Sequence, residues 1–451
     1  VSFPRVTLRL SALHPTAVFF MGFDQVLPNN PGSPTGARLA EGENASLSRP
    51  AAQLELVTQY PMYVIPIDKL MKLDALVPHE EIFDDLIEWK SGMGDVLFCS
   101  HTWLGRSHPD PSGVKLDLLK KLFFRMQVGK QEVAPTWLAE MWFGAKKVRV
   151  NEAAMKKIRY VWFGAQPRSF IFAKWCRLIT LRSRSPITSR PRVCVRTDLC
   201  SVPQADPEKQ ARAINSIFSY VHDSAHFMVL AGPWEHGDYG HLCDCRAWMK
   251  RGWCRLELLA NAMSPTTKQV LLAASPASVE SHGPSGLFGQ KWFSAPVGKG
   301  NFTVEADRAA LGPVVEAILN QRKQLALKQG DLLTYRFIHA ATAATLADTG
   351  TVPIQEQSLE EWMRVMKFET VHDGKKTGWT PLMFAVIANR VELCTALLDA
   401  GADPKVKFKQ GYVQYGLRKD MPVLHAACAT HDCPEIVQLL IARGVSVTSH
   451  R

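Results

Sequence analysis

One carboxylate stands alone in an apolar helix-forming run, Arg251-Gly252-Trp253-Cys254-Arg255-Leu256-Glu257-Leu258-Leu259. Leu256, Leu259 and Met263 recur at helical spacing, as do Cys254 and Leu258, and Ser264-Pro265 ends the run. A carboxylate inside such a face is costly unless it is paired or hydrogen-bonded, so Glu257 needs a reason. It is a helix-surface acid, an internal ion pair with Arg251 or Arg255, or a site residue at a cleft, with Trp253 one turn away.

The elements that would position Glu257 are short apolar runs alternating with helical stretches. Val96-Leu97-Phe98-Cys99, Tyr160-Val161-Trp162-Phe163 or Val193-Cys194-Val195, Phe227-Met228-Val229-Leu230 and Gln269-Val270-Leu271-Leu272 read as strands. Helices are expected over 67–76, 80–89, 114–126 and 207–221. Strands apolar throughout and separated by helices imply an α/β fold with a parallel sheet covered on both faces. Ligands then bind at the carboxyl ends of the strands. Those ends hold Ser100-His101-Thr102-Trp103, Asp198-Leu199-Cys200 and Ala231-Gly232-Pro233-Trp234. His101 is a cap or a base, Trp103 a packing residue or a stacking platform, and Asp198 a turn cap or a ribose ligand. Cys254 reads as a small buried hydrophobe, and His108-Pro109-Asp110-Pro111 as a rigid turn.

Composition narrows the class. With 46% hydrophobic and 21% charged residues among 451, the chain has core material for several domains. No apolar run approaches a membrane span. Ten scattered cysteines favour a reducing, cytoplasmic compartment over a disulfide scaffold. His241, Cys243, Cys245 and Cys254 lack the second matched pair of a zinc site, so no metal is assigned. The net charge of +11 is concentrated: no acid occurs between Glu152 and Asp198. Phe170, Phe172 and Trp175 in that stretch form no RNA-binding pattern, so it reads as a solvated insertion rather than a nucleic-acid surface.

The C-terminal part repeats. Thr380-Pro381-Leu382-Met383-Phe384-Ala385 opens one copy, closed by Leu397-Leu398-Asp399-Ala400-Gly401. Leu424-His425-Ala426-Ala427 and Leu439-Leu440-Ile441-Ala442-Arg443-Gly444 form another, after an insertion over 408–420. These copies resemble ankyrin repeats, which implies a face that binds a protein partner. Two copies make a poor solenoid by themselves, so others are expected beyond Arg451 or on the preceding helices. A start at Val1 and a stop inside a repeat suggest a piece of a longer protein.

Trp253-Cys254-Arg255-Leu256-Glu257-Leu258 resembles the third helix of Toll/interleukin-1 receptor (TIR) domains, and Gly94-Asp95-Val96-Leu97-Phe98-Cys99-Ser100 resembles their first strand. Asp198-Leu199-Cys200-Ser201-Val202-Pro203-Gln204 resembles a segment of heterokaryon-incompatibility domains. The resemblance covers residues 94–275. It implies a flavodoxin-like sheet that self-associates in signalling and, in some members, hydrolyses NAD without a further cofactor. Glu257 would then be catalytic, with Ser100, His101, Trp103, Asp198 and Trp253 about the nucleotide. The basic segment 164–197 departs from the pattern.

The expected order is therefore a disordered segment (1–60), a short ordered lead-in (61–93), the α/β domain (94–275), a loop and helical connector (276–370), and ankyrin repeats (371–451). The favoured function is a signalling scaffold. The alternative is an NAD glycohydrolase controlled by the repeats.

Overall fold

The structure is a computed structural model that describes residues 58–136, 140–141, 145–150, 157–163, 200–283, 294–353, 355–356, 358–412, 417–430 and 434–446. The strand at 193–195, Asp198 and the insertion 164–197 lie outside these residues, as does the segment expected to be disordered (1–60) except for its last three positions.

Among the described residues, nine strands form one sheet: β1 (Tyr63–Pro66), β2 (Ile87–Glu88), β3 (Asp95–His101), β4 (Glu132–Pro135), β5 (Val148–Arg149), β6 (Ile158–Phe163), β7 (His226–Leu230), β8 (Val270–Ser275) and β9 (Ser278–His282). Their order is β2-β1-β6-β3-β7-β8-β9-β4-β5. β6, β3, β7 and β8 are mutually parallel, and β1, β2 and β5 pair antiparallel, as β9 does with β8. The sheet is thus mixed rather than all-parallel. Its central strands are buried on both faces, whereas β2 and β5 are two-residue edges with exposed positions, which hairpin pairing accommodates.

The helices are α1 (Ile67–Leu70), α2 (Val114–Gln127), α3 (Pro207–Asn215), α4 (Ile217–Asp223), α5 (Cys245–Lys250), α6 (Gly252–Met263), α7 (Ala306–Lys328), α8 (Leu332–Thr345), α9 (Leu359–Val365), α10 (Pro381–Ile387), α11 (Val391–Asp399), α12 (Val423–Thr430) and α13 (Pro434–Ala442). Alternation along β3 sorts its side chains. Leu97 and Cys99 join Leu119, Leu122 and Phe123 of α2 on one face. Val96 and Phe98 join α3, α4 and α6 on the other. There Phe98 stacks between Trp162 (4.6 Å) and Phe227 (5.2 Å), its register partners on both neighbouring strands.

Three expected helices differ. The run at 67–76 is helical only over α1. The run at 80–89 is instead a one-turn 3-10 helix (Phe83–Asp85) and β2. Glu80 accepts from Ala205 N (2.7 Å) and Trp89 N donates to Met62 O (2.8 Å), so tertiary partners take the backbone away from a helix. The run at 207–221 breaks at Ser216, whose Oγ accepts from Gln59 N (2.8 Å) and donates to Arg212 O (2.8 Å).

α6 is buried on nearly all sides. Beyond the sheet it meets the connector: Gly252 N donates to Asn301 O (3.1 Å) and Asn301 N to Lys250 O (2.6 Å). Gly252 faces the Phe302 ring so closely that a Cβ would stand 1.9 Å from a ring carbon. Gly252→Ala is expected to lower stability by about 1–3 kcal/mol through overpacking. A melting temperature equal to the parent's would show that this contact gives way freely.

Candidate functional site

α6 is buried around nearly its whole circumference, so a carboxylate at its middle must find partners inside the protein. The alternation of β3 supplies one. Ser100 points to the same side as Val96 and Phe98, and Ser100 Oγ donates to Glu257 Oε2. Trp248 of α5 donates from Nε1 to Ser100 Oγ at 2.9 Å. An indole N–H can only donate, so the Ser100 hydroxyl is left to donate onward, and Glu257 ends the chain as acceptor. Ser100 and Glu257 are 0% exposed and Trp248 1%. Burial first, then the Glu257 charge, pushes the neighbouring Cys99 thiol up. The two arginines weighed as ion-pair partners for Glu257 turn elsewhere. Arg251 donates to Thr303 Oγ1 (2.8 Å), and Arg255 donates to Met249 O (2.9 Å) and Pro296 O (2.9 Å).

The same alternation turns His101 to the opposite face, toward α2. Lys115, 0% exposed, reaches His101 Nδ1 (3.2 Å), Pro109 O (2.8 Å) and Thr102 O. The same Nδ1 also lies 3.3 Å from Thr102 O, so its role depends on the tautomer, and burial beside the Lys115 ammonium keeps the ring neutral. Asp110 Oδ2 accepts from Lys115 N and Leu116 N, both 3.0 Å, and so caps α2.

The structure thus joins Ser100 to Glu257 and separates both from His101. Trp103 is 9% exposed, and its carbonyl accepts from the Cys243 thiol (3.9 Å). Trp253 lies in the core with its indole N–H on Asp307 Oδ2 of the connector (3.3 Å), away from Ser100. The Cys254 thiol points to His101 O (3.8 Å), so Cys243 and Cys254 serve different carbonyls. A surface groove lined by Met71, Lys120, Phe124 and Pro276 lies on the α2 side of the sheet, opposite Glu257.

The C-terminal helices form pairs. Thr380 Oγ1 accepts from Met383 N, Pro381 begins α10, and all seven α10 residues are buried. Leu393, Cys394, Leu397 and Leu398 bury one face of α11, and Ile436 and Leu440 one face of α13. Gly401 and Gly444, at φ 90° and 82°, follow these helices in the left-handed region. Arg443 pairs with Asp399 (2.6 Å), linking successive copies.

Residues 356–451 match ankyrin repeats, in three copies. Ankyrin repeats support a protein-binding role for this part of the chain. No curated protein and no solved structure matches the chain. Sequence reading found two copies; the match begins at 356, ahead of the first of them, where the sequence has no Thr-Pro-Leu opening. Among the described residues, no helix is long and apolar enough to cross a membrane.

Sequence reasoning missed Trp248 and Lys115, which are distant in the chain from Ser100 and His101. It also missed the rim formed by the loops after β3 and β7. Gly237 N donates to Leu104 O (2.7 Å) and Arg106 N to Asp238 Oδ2 (2.6 Å). On this rim His236 stacks with His241 (5.0 Å) and is tilted against Tyr239 (4.7 Å), and Arg106 lies 5.5 Å from the Tyr239 ring. The density of His and Tyr over 236–241 was the available signal.

Burial, and secondarily the Lys115 charge, hold His101 well below its ordinary value, and burial takes His222 down to about 4. Such groups stay neutral in the fold but take protons in the unfolded chain below about pH 6.5. Their contribution is complete above that pH and is lost as pH falls toward the folded values. The melting temperature should therefore fall on acidification below neutrality. His101→Asn, which keeps an acceptor near the Nδ1 position, should flatten that fall. An unchanged slope would remove His101 from the account.

Proposed function

We propose that this chain is a signalling scaffold, in which the ankyrin face binds a protein partner and a TIR-like α/β domain, residues 94–275, self-associates. The carrying observation is the run of three ankyrin copies whose core is continuous with that of α6 and the connector. Two features support the TIR-like reading. The central parallel strands run second-first-third-fourth in chain order, and the helix after the first covers one face while those after the second and third cover the other. The β4–β5 hairpin, inserted between α2 and β6, departs from that plan. The lead-in is read as 61–93, and the connector, expected over 276–370, gives way to the repeats at 356, where the ankyrin match begins.

The test has two parts. Light scattering on the full chain should show mass rising with concentration. A photo-crosslinker placed in turn at exposed repeat positions, including Lys376 and Gln438, should trap a discrete protein in the native cell, and Leu397→Asp should abolish the product. No crosslink from any position would sink the protein-binding reading.

A second reading, NAD glycohydrolase, is supported by one observation: Glu257 is hydrogen-bonded to the end of β3, beside β7, where the connections diverge. Cleavage of the nicotinamide–ribose bond builds positive charge on the sugar, which a carboxylate in a dry site stabilises. At 0% exposure Glu257 meets substrate only if the elements packed around it move. Nicotinamide release by the parent, lost in Glu257→Gln, would establish it.

A further inference from the structure

We propose that the lysines projecting from the repeat loops form a docking edge for an acidic, extended protein segment. The inference rests on the protein-binding reading above and names the chemistry of the partner. Lys405, Lys407 and Lys409 are exposed while the intervening Val406 and Phe408 are buried, the alternation of a strand with one face in solvent.

The backbone fixes this edge. Phe408 N donates to Met421 O (3.0 Å) and Val423 N to Val406 O (3.0 Å), which brings Lys419 alongside. Lys409 N donates to Thr377 O (2.9 Å), which brings in Lys375 and Lys376. Below it, Phe408 packs on Trp379 with ring centroids 4.3 Å apart. Three segments therefore present lysines from one rigid base.

None of these six lysines makes an ion pair within the described residues. The nearby acids Asp373 and Asp403 accept backbone N–H groups, from Glu369 (2.8 Å) and Lys405 (2.9 Å). With Asp420 these three carboxylates offset only part of the six lysine charges, and the remaining excess, held on a rigid edge, attracts an anionic partner. Lys407 sits at an isolated bridge to Pro422, and the exposed lysines alternating about it face one side, as alternate carboxylates do in an extended peptide.

Acidic protein fits better than nucleic acid. Among the described residues of this edge, Trp379 and Phe408 are buried and the Tyr412 hydroxyl is bonded to Thr334, so none of the three is a free aromatic platform for bases. The fully exposed cations of this edge are lysines, without the planar fork that arginine brings to phosphates, and Arg418 beside Lys419 is only partly exposed.

The test is selection of random-sequence displayed peptides on the full chain at low salt. Enrichment of peptides with Asp or Glu at alternate positions is expected. The triple variant Lys405→Glu, Lys407→Glu, Lys409→Glu should bind the selected peptide on the order of a hundredfold more weakly, the triple Arg variant nearly as the parent, and added salt should weaken the parent. All three positions are exposed, and a melting curve for each variant confirms the fold. Enrichment of uncharged peptides would overturn the inference and leave the protein-binding reading standing. No enrichment by the folded chain would overturn both. Tighter binding of a single-stranded oligonucleotide, or of phosphatidylserine vesicles, than of the acidic peptide would also overturn it.

Discussion

Leu397→Asp is expected to unfold the C-terminal helices outright. Leu397 is 0% exposed and lies in the apolar cluster that joins α10 to α11, as Leu440 does in α13. Removing a buried leucine costs about 2–5 kcal/mol, and a carboxylate without a partner in its place adds several more. The total, about 5 kcal/mol or more, rivals the whole stability of an ordinary domain. Leu440→Asp should behave alike, whereas Gln438→Asp, at an exposed position of α13, should melt like the parent. The readouts are the helical circular dichroism melt and tryptic cleavage over residues 375–445. If both leucine variants melt like the parent, the inward register of α11 and α13 is wrong.

Much of the fold was legible because local pattern and burial agree. Tyr160–Phe163 and Phe227–Leu230 are apolar throughout, and they lie on both sides of β3 in the centre of the sheet. The residues 80–89 were not legible. Their helix-like pattern is overridden by partners more than a hundred positions away, such as the backbone N–H groups of Gln204 and Ala205 for Glu80. The site shows the same division. Glu257 stood out as a lone acid in an apolar run. That Ser100 and His101 part company follows from the two-residue period of a strand, and could have been drawn from sequence once β3 was assigned. Trp248 could not: nothing local links it to a serine 148 positions earlier.

The Glu257 chain sets the second large effect. Trp248 donates to Ser100 and Ser100 to Glu257, all within the protein. Glu257→Ala removes the terminal acceptor and leaves a cavity, so the Ser100 hydroxyl loses its partner in a buried place. The expected cost is about 3–5 kcal/mol. Glu257→Gln keeps an acceptor oxygen and nearly the same volume, so it should cost about 1–2 kcal/mol. Ser100→Ala leaves the Trp248 N–H without its acceptor and should fall between the two. The order Ala, Ser100→Ala, Gln in thermal melting is the signature of an internal polar pin. A catalytic carboxylate predicts a different split: Gln would melt almost like the parent, yet lose nicotinamide release from NAD by a factor on the order of a hundred or more. Melting and release measured on the same three variants therefore separate the pin from the catalyst. The scaffold reading expects the graded melts, with no release for any substitution to remove.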